Sequence, residues 1–155
     1  MIRKHREKFR TLLEESLAKP SDGEARPAPN RPPCSPAQEP HGALEFATLF
    51  FNGEVLAQAI APHSKNFDSS NIERYNRLLS FFTDLIKTIE ERIDDFGMGE
   101  MSRIVIDPKF GAIYFTKIDK SLVLMSGTGV QENVPYADAD HYYLAEHVME
   151  MARNP

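Results

Sequence analysis

Cysteine is nearly missing from this chain: Cys34 is the only one among 155 residues. A lone thiol supports neither an internal disulfide nor a cysteine-based zinc site, and it fits a reducing compartment. No window approaches 18 consecutive apolar residues, so nothing reads as a membrane span. The N-terminus is basic (Arg3, Lys4, Arg6, Lys8, Arg10) but lacks the apolar run of a signal peptide, so a cytoplasmic setting is expected. Positive charge is scarce where most of the apolar residues lie. Residues 1–19 carry a net +3, residues 20–43 a net −1, and residues 44–155 a net −7. An acidic domain offers no basic face to a phosphate backbone, which excludes nucleic acid as its expected partner.

Catalytic motifs are lacking too. There is no HExxH and no GxSxG, and the five histidines (His5, His41, His63, His141, His147) show no metal-ligand spacing. Asp138, Asp140 and His141 could be drawn as a metal cluster, but the plainer reading is a polar helix start. Gly127-Thr128-Gly129 resembles part of a phosphate loop, yet no Gly-Lys-Ser/Thr follows, so it reads as a loop. Glu90, Glu91, Asp94 and Asp95 form an acidic helix end and read as a solvated face. The expectation is no catalytic residue, no metal and no cofactor.

What the chain does have is one long, regular stretch at residues 70–96. Its apolar positions Ile72, Tyr75, Leu79, Phe82, Ile86, Ile89, Ile93 and Phe96 recur at steps of three and four, which keeps them on one helical face. Ser70 with Glu73 predicts a capping box, and Gly97 predicts the stop. Such a helix is roughly 39 Å long. A second stripe, Leu78, Phe81 and Leu85, widens the apolar arc to about half the circumference near the centre, more than one sheet covers. The helix is expected to touch two things.

Around it the chain divides into three. Residues 1–18 predict an amphipathic basic helix with Ile2, Phe9, Leu13 and Leu17 on one side; it packs on its own domain, or contacts a partner or an anionic membrane. Residues 19–42 hold seven of the eleven prolines and few large apolar side chains, predicting a disordered linker with polyproline conformations. Residues 43–155 form the domain. LEFATLFF, Asn52-Gly53 and EVLAQAIA predict a β-hairpin with a type I′ turn. After the long helix, residues 101–107, 112–118 and 121–126 predict three strands joined by short turns, hence an antiparallel meander. Residues 127–135 read as irregular. A closing helix is expected from His141 to about Arg153, capped by Asp138 or Asp140 and burying Tyr143, Leu144, Val148 and Met151. The fold class is α+β: a five-stranded antiparallel sheet in the order strand-strand-helix-strand-strand-strand, with one long helix on one face and helices at both termini.

This order, the hairpin LEFATLFFNGEVLAQAIA and the segment GMGEMSRIVIDPKFGAIYFTKIDKSLVLMSGTGV resemble the roadblock/dynein light chain domain, of profilin-like and longin-like architecture. The resemblance covers about residues 43–130. It departs from the family pattern in the 24 residues between the N-terminal helix and the first strand. The resemblance implies pairing, as a homodimer or as a heterodimer with another roadblock domain, through the long helix and the third strand. It places Leu78, Phe81 and Leu85 at a helix–helix contact, and Arg103, Ile104 and Val105 on a strand that continues across the dimer. A strand with one charge to blunt an open edge agrees with this.

The resemblance further implies a non-catalytic adaptor or scaffold that binds and regulates a Ras-like small GTPase; it names no hydrolysis-stimulating arginine, and Arg74, Arg77, Arg92 and Arg103 are candidates only because few other arginines lie in the domain. Two other readings stand beside it: a longin-like or other profilin-like module in trafficking or complex assembly, and a PAS-type sensor with a small ligand beneath the long helix.

Overall fold

Five strands form one antiparallel sheet with helices on both faces. The computed structural model describes residues 2–18, 40–97 and 102–154, with the backbone alone for residues 75, 78–80, 83 and 94. A 3₁₀ turn, Ile2–His5, leads into α1 (Arg6–Leu17). Then come β1 (Phe46–Phe51), β2 (Glu54–Ile60), α2 (Ser69–Asp94), β3 (Arg103–Ile106), β4 (Ala112–Lys117) and β5 (Leu122–Thr128). A second 3₁₀ turn, Gln131–Asn133, opens α3 (Val134–Arg153). The strand order is β2-β1-β5-β4-β3, so the middle of the sheet joins the first strand to the fifth and β3 lies at one edge.

Local chemistry accounts for the hairpin. Asn52 and Gly53 both take positive φ (51° and 80°), as a type I′ turn requires, and Asn and Gly are the residues that do so cheaply. The strands on either side alternate their side chains between two apolar layers. Phe46 and Phe50 of β1, Phe115 of β4 and Met125 of β5 meet Ile72 and Phe82 of α2. Aromatic rings dominate this layer, with Phe82 and Phe115 centroids 4.4 Å apart. On the opposite face Ala47, Leu49, Ala57, Ala59, Leu122 and Leu124 pack against α1 and α3, which contribute Phe9, Leu13, Leu17, Leu144 and Val148.

The N-terminal helix is thus part of the domain's packing. Phe9, Leu13 and Leu17 are buried against the sheet, so its apolar side is not available to a membrane. Of the stretch expected to be a linker, residues 19–39 lie outside the described residues. Its last residues are described, and the backbone N–H of His41 donates to the Asp140 carboxylate at 2.7 Å.

Three local expectations are corrected. The cap of α2 is Asp68, not Ser70: its carboxylate accepts from the amides of Ser70 and Asn71, and Asn71 Oδ1 accepts in return from the Asp68 amide. Aspartate at this position has the shorter, charged acceptor that the free amides of a first turn favour. β5 runs through Gly127 and Thr128, which had read as loop. Gly127 is there because a Cβ would meet the Ala112 carbonyl at 2.7 Å and the Phe46 ring at 2.8 Å. Finally α3 starts at Val134, with Pro135 in its first turn where the missing N–H costs nothing. Asp138 and Asp140 are therefore inside the helix and cap nothing. Leu144 and Val148 are buried as expected, while Tyr143 and Met151 are half-buried.

Candidate functional site

α2 crosses one face of the sheet. Near its start Asn76 Nδ2 donates to Gln58 Oε1 of β2 at 3.0 Å. Further on, Phe82 packs on Phe115 of β4, and the Lys117 ammonium of β4 lies 2.8 Å from Glu90. The C-terminal half of the helix thus lies over β4, next to the β3 edge. Ile72 and Phe82 are buried toward the sheet. Beside them Phe81 is 62% exposed and Leu85 36%, with Phe81 making an edge contact to Phe82 only 5.8 Å between centroids. Ile86, Ile89 and Ile93 are half-buried. Leu78 belongs to the same helix, and its side chain lies outside the described residues.

The sheet register separates the three β3 residues. Ile104 pairs with Phe115 and, with Ile106, packs into the aromatic layer under α2. Arg103 and Val105 point to the other face. The Arg103 guanidinium pairs with the Asp138 carboxylate of α3 and sits 5.6 Å from the Tyr114 ring centroid. Val105 remains 46% exposed. β3 has β4 on one side and no strand on the other among the described residues. An open edge with one half-neutralised charge is a template for pairing with another chain.

Of the four arginines singled out, Arg74, Arg77 and Arg92 are exposed on α2, whereas Arg103 is engaged by Asp138.

The remaining polar clusters are structural. His141 is fully buried in α3 between the hydroxyls of Thr116 (2.7 Å) and Ser126 (2.6 Å), its ring stacked 5.3 Å from Tyr114. A serine and a histidine at that distance invite comparison with a nucleophile and its base, but the pair is sealed from substrate. Burial, followed by the Arg103 charge, lowers the imidazole pKa to about 3, so the ring is neutral and links β4 and β5 to α3. Tyr114 is pushed up to about 12, first by burial and then by the charges of Asp138 and Asp107. Its hydroxyl donates to the Val134 carbonyl at 3.2 Å.

Asp138, Asp140 and His141 turn to three different partners, and among the described residues no group of three His, Cys, Asp or Glu side chains could hold a metal ion. The Gly127–Gly129 segment binds a carboxylate of its own chain. Gly129 N–H donates to Glu45 at 2.5 Å, across 84 residues of sequence, and Ser64, Asn66 and Thr128 donate to the same side chain. The Gly129 amide is taken by Glu45, and the segment is not a phosphate cradle.

Sequence reasoning missed the Glu45 carboxylate and misassigned that of Asp140, which it read as a helix cap or part of a metal cluster. Both are nearly inaccessible, and for Glu45 an acid inside the apolar run LEFATLFF was the available signal.

No family model matches the chain, and no curated protein matches it in sequence. Solved structures do match. A structure described as MglB with tetrameric arrangement aligns at TM-score 0.65 and 15% identity, covering 96% of this chain and 90% of that one. Myxococcus xanthus MglB aligns at 0.62 and 10% identity over 97% and 92%. A Roadblock/LC7 domain from Streptomyces avermitilis aligns at 0.51 and 13% identity over 71% and 86%. The chain has the roadblock/LC7 fold.

Proposed function

We propose that this roadblock-fold chain is a non-catalytic dimeric adaptor that binds and regulates a Ras-like small GTPase. The reading is supported most by one coincidence: Phe81 and Leu85 stand exposed together on the helix whose C-terminal half neighbours the open β3 edge, while Val105 is exposed on the opposite face of that edge strand. A large apolar side chain left in water forgoes about 1.5–3 kcal/mol of burial, and adjacent ones mark an interface. Pairing through this face would put Leu78, Phe81 and Leu85 between two helices and run Arg103, Ile104 and Val105 alongside a second strand. Only the backbone of Arg103 would contribute there, since its side chain is held by Asp138. The tetrameric arrangement named for one structural neighbour supports self-association as something this fold does.

The dimer is tested by Phe81→Glu. The parent elutes at twice the chain mass and the variant at the chain mass; equal masses sink the pairing. The GTPase is tested with the immobilised full chain and small GTPases of its own cell, loaded with GTP or GDP. Binding that depends on the nucleotide is expected. Failure to retain any of them in either state removes the GTPase assignment and leaves the dimer standing.

A further inference from the structure

The basic residues at the N-terminus have a place in the fold that their partner must fit. With Phe9, Leu13 and Leu17 turned inward, Arg3, Lys4, Arg6, Lys8 and Arg10 are all exposed. Arg10 is occupied by Glu14 on its own helix at 3.0 Å, and Arg3 reaches Glu54 of β2 at 2.7 Å. The side chains of Lys4, Arg6 and Lys8 make no ion pair or hydrogen bond among the described residues. Arg3 and Arg6 form one wall of a groove of about 240 Å³ whose other wall is Phe51, Glu54, Val55 and Leu56.

We propose that this groove receives an acidic segment of a partner protein that also carries an apolar side chain. The proposal is independent of the GTPase reading and of the α2 face.

Three observations carry it. First, the charge is segregated: the chain is net −5 overall, yet this end is positive, so an acidic partner is attracted here and repelled elsewhere. Second, the groove already holds a carboxylate. Glu54 on Arg3 shows that the guanidinium is placed to take one, and both side chains are largely exposed (67% and 73%). An exposed pair is worth at most about 1 kcal/mol, so an incoming carboxylate exchanges with it readily, and Arg6 is open beside it. Third, Val55 is 40% exposed in the wall of the groove, an apolar contact next to two cations.

The space suits a side chain or two; pockets for small molecules begin at about 300 Å³. A bilayer is the poorer occupant. A basic helix that lies on a membrane sinks its apolar face into it, and here that face is inside the protein.

The experiment uses the full chain and a fluorescent peptide alternating Glu and Leu, against a control in which Ser replaces Glu. The acidic peptide is expected to bind about tenfold tighter than the control, and Arg3→Glu with Arg6→Glu to weaken it about tenfold. Glu54→Gln, which removes the resident carboxylate, is expected to tighten it about twofold. Both arginines are exposed, so an unchanged melting temperature confirms folding; Arg6→Gln is the milder variant. Equal affinity for the two peptides overturns the proposal, as does an unchanged affinity after charge reversal. Sedimentation with phosphatidylserine vesicles without peptide binding overturns it in favour of a membrane contact.

Discussion

Asp140 in α3 and His41 just before β1 are joined twice: the His41 amide donates to the Asp140 carboxylate at 2.7 Å, and the His41 ring nitrogen lies 2.8 Å from the same oxygen. The second carboxylate oxygen accepts from the Ala43 amide at 2.9 Å. One buried acid thereby fixes the entry into β1 against the last helix.

Removing it leaves two backbone donors without an acceptor. Asp140→Ala is expected to lower the unfolding free energy by about 3 kcal/mol, because charge-assisted bonds are lost and the amides stay desolvated. Urea denaturation reads this as a lower midpoint at unchanged slope. A loss under about 0.5 kcal/mol, the range of an ordinary surface change, would contradict it.

His141 makes stability depend on pH. In the unfolded chain the imidazole titrates near 6.5, and in the fold near 3. Between those values the unfolded state holds a proton that the folded state refuses. Stability from this group is therefore complete above 6.5 and is lost as pH falls toward 3, by at most about 1.4 kcal/mol per pH unit. His141→Gln should start less stable and lose less between pH 6.5 and 5. Parallel pH profiles for the two proteins would show that His141 is not the cause.

Two glycines with similar backbone angles should respond differently to alanine. Gly111 has φ +86°, and a Cβ there would lie 2.0 Å from the Thr128 carbonyl; Gly53 has φ +80° with open space around it. Gly53→Ala is expected to cost about 1 kcal/mol, the price of the left-handed conformation alone. Gly111→Ala adds a clash with backbone that cannot give, and a loss above about 4 kcal/mol is expected. Thermal melts of both variants test the ranking.

Val105→Lys probes the sheet edge without touching the core. Because the side chain is half in water, the fold should change by less than about 0.5 kcal/mol. A lysine on an open strand discourages pairing, so the equilibrium between dimer and monomer should move toward monomer in sedimentation velocity. No movement, with Phe81→Glu still monomeric, would place the contact on α2 alone.

The sheet and the long helix were legible because their signals are local. Asn52-Gly53 between apolar runs specifies a hairpin, and three-and-four spacing specifies a helix over eight positions. The exposed stripe was legible as an excess: Phe81 and Leu85 widen the arc beyond what one sheet can cover. What failed to show depends on distant partners. Asp140 looks like a cap until His41 and Ala43 arrive from 99 and 97 residues away. Gly127 reads as a strand breaker until the Phe46 ring is laid on it. Arg103 looked available on β3 because nothing nearby in sequence announces Asp138.

The strand order has a consequence for how the chain comes to be folded. β1 finds its second neighbour in β5, with Phe46 opposite Gly127, so the centre of the sheet is assembled from its first and last strands in sequence. A nascent chain that has released the hairpin and α2 still exposes Phe46 and Phe50 on a sheet lacking its middle. Closing so long a loop costs entropy before any strand contact repays it, which slows folding and lengthens that exposure. The aromatic layer is therefore complete only once Phe115 and Met125 have joined Phe46, Phe50, Ile72 and Phe82.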